Sequence, residues 1–479
     1  MRTVDVAIIG AGTAGLQAYA AARHWTDSIV LIEDGAYGTT CARSGCMPSK
    51  LLIAAAERAH EARGAKVFGI ETGEVTVDGP AVMRRLQDLR DHFLEGVVAQ
   101  TEAIPEARRL RGHARFREPG VLEVGGEMLR AQRIVIATGS VSRIPDQLRE
   151  GAGARLLTIA DLFELRDLPE SVVVFGAGVI GVEAAQALVR LGVRVRCLSK
   201  GGDVAMLTDP VITKTAHEIL GGEFPVELDA QIDEVRNDQD GVHVTFTIDG
   251  EARTETFERA LVATGRVPNM GGLDIENAGL KLDEHGVPLS DRATCLCEAG
   301  ESPSAVAVFI AGDAEGNAPV LPVASDDGRI AGDNAGRWPH VKAHRRKTDL
   351  FITYTKPSIA TAGMRYAQIV KSGRRFEVGE ASFADQGRAV IEDRARGLLR
   401  LYGEWETGIL LGAELIAPDA EHHAHLLAAL IAQGLCAPEA LGIPFYHPCT
   451  EEAIRTSLRD LCAKLLLDDL PVERMINRK

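Results

Sequence analysis

The sequence predicts an α/β protein: two doubly wound parallel-sheet units and a separate α+β domain at the C-terminal end. Three observations lead there. A strand, a glycine loop, a helix and a second strand occur near the start and recur from Ser171. The stretches between them read as antiparallel meanders. From about Phe351 the pattern changes to short strands and an alanine- and leucine-rich helix.

In chain order, Val4 to Ile9 is an apolar strand leading into Gly10-Ala11-Gly12-Thr13-Ala14-Gly15. A helical stretch, Leu16 to Arg23, and a second strand, Ser28 to Ile32, follow. The echo runs Ser171 to Phe175, then Gly176-Ala177-Gly178-Val179-Ile180-Gly181, the helical stretch Val182 to Leu191 and the strand Val193 to Leu198. Each is a βαβ unit. Arg111 to Ala137 and Pro225 to Ala263 are the meanders, with turns at Gly125-Gly126 and Asp249-Gly250. Leu398 to Tyr402 and Ile409 to Ile416 are strand-like, and His425 to Gln433 is helical.

Length and composition narrow the function. A chain of 479 residues exceeds one core and suggests three domains of ordinary size. Hydrophobic and charged shares of 46% and 25% are those of a globular protein. The net charge of −15 argues against nucleic acid or an anionic membrane as partner. No apolar run approaches the ~20 residues that cross a bilayer. The apolar run Val6 to Ile9 is too short for an export signal, so a cytoplasmic protein is expected. Of the eight cysteines, at 41, 46, 197, 295, 297, 436, 449 and 462, most are expected as reduced, buried thiols. Cys41 and Cys46 stand apart by their surroundings.

The two glycine loops carry the first chemistry. Gly10 permits a tight turn, Gly12 lets the backbone approach a pyrophosphate, and Gly15 lets the helix pack close to the strand. The helix N-terminus then faces phosphate. Glu33 closes the second strand, where an acid accepts hydrogen bonds from a ribose diol. The second loop repeats Gly176, Gly178 and Gly181 without the acid: Ser199 stands in its place, followed by Lys200. A hydroxyl beside an ammonium suits a 2′-phosphate. Against that, Gly181 is the residue usual in NAD-type loops, and no second basic residue follows before Asp209. NAD and NADP both stay open, with the balance towards NADP.

Gly38-Thr39-Thr40-Cys41-Ala42-Arg43-Ser44-Gly45-Cys46-Met47-Pro48-Ser49-Lys50 carries the second chemistry. Cysteines five apart on a regular helix sit too far apart to bridge, so Gly45 and Pro48 must break the segment. A helix is expected beyond Pro48, from Lys50 to Ala62, with both thiols near its N-terminus, which favours a thiolate.

This segment resembles the redox motif of the class I pyridine nucleotide–disulfide oxidoreductase family, most closely its dihydrolipoyl dehydrogenase branch. It departs from the family pattern at Tyr37 to Thr40 and at Arg43, where asparagine is usual. The resemblance extends along the chain through Ala137-Thr138-Gly139, Ala263-Thr264-Gly265-Arg266-Val267-Pro268-Asn269, Ala311-Gly312-Asp313, Tyr354-Thr355-Lys356-Pro357 and His447-Pro448-Cys449-Thr450-Glu451-Glu452. It implies an FAD-binding domain over residues 1–145, resumed over 269–347, an NAD(P)-binding domain over 146–268 and a dimerisation domain over 348–479. It further implies that Cys46 lies against the flavin, that Cys41 exchanges with substrate, and that Lys50 serves the flavin. Glu183, two residues into the second helix, pairs with that lysine and meets the nicotinamide. Thr138, Gly139 and Asp313 fall at the FAD site and Gly265 at the NAD(P) site. His447 is the acid/base, oriented by Glu452 and supplied by the other subunit of a homodimer.

The activity implied is the oxidation of dihydrolipoamide, with a lipoyl domain as partner. The alternative is an NADPH-dependent reductase of a small disulfide or other electrophile. The tail Met475 to Lys479 lacks the cysteine pair of mercuric reductases, and a soluble transhydrogenase would lack the double-cysteine motif. A flavin-binding scaffold without turnover is the reading from another class, separable by a long-wavelength thiolate–flavin absorbance on reduction. Cys449, where threonine is usual, is expected as a small buried thiol. His422, His423 and His425 have no ligand-spaced acid beyond Glu421, so no metal is expected.

Overall fold

The computed structural model describes residues 1–300 and 306–465, and the tail Met475 to Lys479 lies outside the described residues. The chain forms two compact units. Of the described residues, one comprises 1–51, 84–143, 265–300 and 306–347; the other comprises 52–83, 144–264 and 348–465.

In the first unit Arg2–Ile9 lies between Ile29–Glu33 and Glu127–Ile136, both parallel to it. Val6, Ala7 and Ile8 are fully buried, as a strand covered on both faces requires. Glu127–Ile136 serves two roles. Its end, Arg133 to Ile136, pairs in parallel with Ala307–Ile310, while its start pairs antiparallel with Val121–Val124 and, beyond that, Ala114–Glu118. The expected meander is therefore an extension of the parallel sheet. The burial pattern shows why: exposed and buried residues alternate over the first half, and the last four are all buried. Helix Thr13–Ala22 meets helix Leu321–Arg337 through small residues, since a Cβ on Gly328 would stand 2.2 Å from the Ala14 carbonyl oxygen.

The second unit repeats the design. Its parallel sheet runs Val226–Glu227, Arg194–Leu198, Ser171–Phe175, Arg259–Val262 and Leu156–Leu157. Gln231–Asn237, Val242–Ile248 and Glu251–Phe257 form a separate antiparallel sheet. Asp249 and Gly250, both at positive φ, make its two-residue turn. The last strand expected in that meander, Arg259–Val262, joins the parallel sheet instead.

The C-terminal part is a five-stranded antiparallel sheet in the order Leu350–Thr353, Ser358–Gly363, Leu410–Ala417, Leu398–Glu404, Phe376–Ser382. Helices Ala420–Ala432 and Glu452–Lys464 share its core, where Leu401, Leu415, Leu427 and Leu458 are fully buried. Two buried carboxylates tie this sheet to the parallel one. Asp209 caps helix Pro210–Gly221 and accepts from Arg400 Nε at 2.7 Å and the Tyr402 hydroxyl at 3.0 Å. Glu414 accepts from the backbone of Thr208, Asp209 and Tyr366 at 2.7–3.0 Å. Among the described residues no helix is long and apolar enough to cross a membrane.

Leu458→Ala leaves a cavity in this core. It is expected to lower the unfolding free energy by about 2–5 kcal/mol, read as a lower urea midpoint at unchanged slope.

Candidate active site

The first glycine loop has the geometry that a pyrophosphate needs. Gly10 sits at φ +106°, where a Cβ would come 2.2 Å from the Ala137 carbonyl oxygen. A Cβ on Gly15 would come 1.8 Å from the Gly10 carbonyl oxygen, whereas nothing lies within 4 Å of the Gly12 position. Gly12 heads helix Thr13–Ala22 without a side-chain cap, so the helix N-terminus is left to a ligand. Glu33 is fixed beside the loop: Oε2 accepts from Ala11 N at 2.8 Å and Oε1 from Gly35 N at 2.9 Å. Thr138 Oγ1 is buried with no hydrogen-bond partner, a polar atom that a bound group would satisfy. Gly139 follows at φ +71°. Asp313 Oδ2 accepts from Ser140 Oγ at 2.6 Å, and that hydroxyl accepts from Arg266 Nε at 2.7 Å. The open loop, uncapped helix and orphaned hydroxyl fit FAD.

The second loop has the same build. Gly176 is at φ +111°, Gly181 packs against its carbonyl, and the Gly178 position is open at the head of helix Val179–Arg190. Because the helix begins there, Glu183 is its fifth residue, not the second as expected. Glu183 is 5% exposed, and its Oε1 accepts from Tyr354 N at 2.7 Å. Ser199 is anchored by its backbone, donating to the Glu227 carbonyl and accepting from Ala230 N, both at 2.8 Å. Lys200 is exposed. The nearby Arg196 is held by Glu227 at 3.0 Å and Glu255 at 2.7 Å, so its charge is already paired. Gly265 sits at φ +105°.

The redox segment is broken as expected. Thr39 caps the short helix Thr40–Ser44 through Ala42 N at 3.2 Å. Gly45, at φ −123° and ψ −113°, ends it, and Cys46 starts the helix Cys46–Gly64, earlier than the Lys50 start expected. This brings the two side chains into a hydrogen bond. That bond, followed by burial, pushes the Cys41 thiol far above its usual range, while the Lys50 ammonium pulls the other way. Arg43 has a structural use: its Nη2 donates to the Tyr37 carbonyl at 2.5 Å, and the Tyr37 ring lies under the Arg111 guanidinium, 4.6 Å away.

His447 is exposed, with Nδ1 3.0 Å from Oε2 of the mostly buried Glu452. Glu452 is the first residue of helix Glu452–Lys464. Arg455 donates to its other oxygen, Oε1, at 3.0 Å. The Cys449 thiol is half-buried rather than buried. It donates to the Tyr446 carbonyl, and burial and Glu451 push its pKa up, so it is a poor nucleophile. Cys197, Cys295, Cys297 and Cys462 are buried, as expected of most, and Cys436 is half-buried. His423 Nδ1 lies 3.0 Å from the Asp419 carbonyl with its ring against Phe383, and His425 Nδ1 lies 2.6 Å from the Glu421 carbonyl. Among the described residues no cluster of histidine, cysteine and acids could hold a metal.

The sequence reading missed Arg455, Ser140 and Arg266. Arg455 was signalled by its place three residues after Glu452 on a helix. Arg266 lies in the quoted Ala263 to Asn269 run, but nothing local tied it or Ser140 to Asp313, which Ser140 bonds from a distant segment with Arg266 behind it.

Two dinucleotide loops and a dithiol at the head of a helix define a nucleotide-dependent dithiol–disulfide protein. The chain belongs to the pyridine nucleotide–disulphide oxidoreductase family, whose pattern matches residues 4–328; the pattern of the family's dimerisation domain matches 351–458 and supports a homodimer. It is a flavoprotein disulfide oxidoreductase of a family that uses FAD and NAD(P). A dihydrolipoyl dehydrogenase of Haloferax volcanii is 31% identical over 469 residues, 94% of each chain. A mercuric reductase of Streptomyces lividans is 32% identical over 430 residues, 87% of each chain. Among solved structures, LpdA from Mycobacterium tuberculosis has a TM-score of 0.80 at 24% identity, covering 96% of this chain and 99% of that one. The HOCl-induced flavoprotein disulfide reductase RclA from Escherichia coli gives 0.78 at 24%, with the same coverage. These likenesses bear out the expected α/β fold.

Cys46→Ser removes the first cause of the raised Cys41 pKa. In that variant Cys41 is expected to titrate lower and to react several-fold faster with iodoacetamide at a fixed pH near 8, while FAD stays bound and disulfide turnover is lost. Peptide mass spectrometry of the alkylated protein checks it.

Proposed function

We propose that the chain is a dihydrolipoyl dehydrogenase, oxidising dihydrolipoamide by exchange at Cys41–Cys46 and passing two electrons to NAD(P)+. The His447–Glu452 pair carries the reading. A dithiol must lose a proton before its sulfur attacks a disulfide, and an imidazole whose Nδ1 proton is held by a carboxylate presents Nε2 as acceptor. Reduction of a bare metal ion requires no such base.

The substrate thiolate attacks Cys41 and forms a mixed disulfide, releasing Cys46. The second substrate sulfur then closes the substrate disulfide and frees Cys41. Cys41 and Cys46 have gained two electrons, and the substrate has lost two electrons and two protons. One of these protons passes to His447, supplied by the second copy of the chain, and the other to the freed Cys41 sulfur; one leaves within NAD(P)H and the other is released. Bound FAD supplies the two-electron link from this dithiol to the nicotinamide, which leaves as NAD(P)H with one proton released. Gly10, Gly12, Gly15, Glu33, Thr138, Gly139 and Asp313 hold FAD, and Lys50 serves the flavin. Gly176, Gly178, Gly181 and Gly265 hold the nicotinamide nucleotide, with Glu183 at its ring. The partner is a lipoyl domain. The four sequence segments, residues 1–145, 146–268, 269–347 and 348–479, divide these tasks as the family resemblance implies.

Ser199 and Lys200, together with the mercuric reductase relative, favour a second reading: an NADPH-dependent reductase of a small disulfide or other electrophile. Anaerobic stopped-flow mixing separates the two. Dihydrolipoamide is expected to bleach the flavin and raise the long-wavelength thiolate absorbance. A flavin left oxidised by dihydrolipoamide and reduced by NADPH would sink the leading reading.

Ser199→Glu restores the acid that accepts from a ribose diol and repels a 2′-phosphate. It is expected to raise the ratio of kcat/KM for NADH over NADPH by about tenfold or more, measured with both cofactors.

A further inference from the structure

One carboxylate carries both partners of the acid/base. Glu452 Oε2 accepts from His447 Nδ1 at 3.0 Å and from Cys449 N at 3.4 Å, and Oε1 accepts from Arg455 Nη2 at 3.0 Å. The carboxylate side chain is 14% exposed and that of Arg455 is 30%, whereas the His447 ring is 78% exposed. Two of the three groups are therefore held by the protein, and the ring takes its direction from them. We infer that Arg455 is a positioning residue of the acid/base, holding the Glu452 carboxylate in place and taking a share of its charge. The inference rests on the role proposed above for His447.

Two effects follow from the contact. With Oε1 pinned, Oε2 stays turned towards Nδ1, which fixes the tautomer and leaves Nε2 as the open nitrogen. The guanidinium also offsets part of the carboxylate charge that stabilises an imidazolium, and it is itself a cation near the ring. Both electrostatic contributions oppose a second positive charge on the imidazole. Three neighbouring charged or titratable groups, Glu451, His422 and His423, have other contacts. Glu451 interacts with the Cys449 side chain, and His422 and His423, from helix Ala420–Ala432, act on Glu451. Arg455 brings its cation onto the Glu452 carboxylate itself.

The test uses the oxidised, FAD-loaded dimer and dithiothreitol as the dithiol. The second-order rate of flavin reduction is followed by stopped flow from about pH 5 to pH 9, a range that brackets histidine. In the unaltered protein the acid limb reports loss of the His447 proton, and His447→Gln is expected to abolish it. Arg455→Met is expected to move that limb up by roughly half a unit to one unit, and Arg455→Lys to return most of the shift. Arg455→Gln keeps a donor for Oε1 without the charge. It is expected to show the upward shift too, and it carries the test if the methionine variant does not retain FAD. An unmoved limb in an FAD-loaded, dimeric charge-free variant overturns the inference while leaving the role of His447 intact. A limb that survives in His447→Gln overturns that role, and the inference with it.

Discussion

The hydrogen bond between the side chains of Cys41 and Cys46 is the constraint around which the redox segment is arranged. Five residues apart on an uninterrupted helix, the two sulfurs could not meet. The chain therefore ends one short helix at Gly45 and begins another at Cys46. Thr39 caps the first helix, and the Arg43–Tyr37–Arg111 clasp holds the loop that delivers it. The second helix points its N-terminus at the dithiol, and Lys50, one turn along, adds a positive charge. The environments of the two sulfurs are unequal, since Cys41 is pushed up by its bond to Cys46 and by burial.

Much of this was legible because glycine and cysteine make demands that few other residues can meet. Gly10 and Gly176 occupy backbone conformations unfavourable to a side chain, and Gly15 and Gly181 fill spaces that exclude a Cβ. A strand, a loop and a helix around such positions can be read directly from the sequence. Pairing between distant strands cannot. Nothing local in Glu127–Ile136 says that one end lies in a parallel sheet and the other in a hairpin. Helix starts were also misplaced. At Gly178 no side-chain cap marks the boundary, so the helix was expected to begin near Val182, and Glu183 sits one turn deeper than it seemed from the sequence.

Departures from the family pattern separate into two kinds once the contacts are known. Arg43 and Cys449 are bonded to the backbone carbonyls of Tyr37 and Tyr446, and both serve local structure. Ser199 and Lys200 stand at the mouth of a nucleotide loop, and Arg196 is drawn away from it by Glu227 and Glu255. On the proposed assignment of this loop to the nicotinamide nucleotide, the charge presented to its ribose would depend on very few groups, and a single residue there would carry much weight in the choice of nicotinamide.

The buried carboxylates Asp209 and Glu414 have a thermodynamic consequence. Each bonds groups from both the parallel sheet's side of the second unit and the antiparallel sheet. Separating the two sheets would strand a buried charge at Asp209 or Arg400, a penalty of about 3–5 kcal/mol for a broken buried pair. Opening either sheet alone would therefore carry that cost, which couples the two sheets in unfolding. With the nicotinamide nucleotide at the parallel sheet, as proposed, its binding free energy would be shared with the helices of the antiparallel sheet, and cofactor occupancy would act as a ligand-linked brake on the unfolding of both.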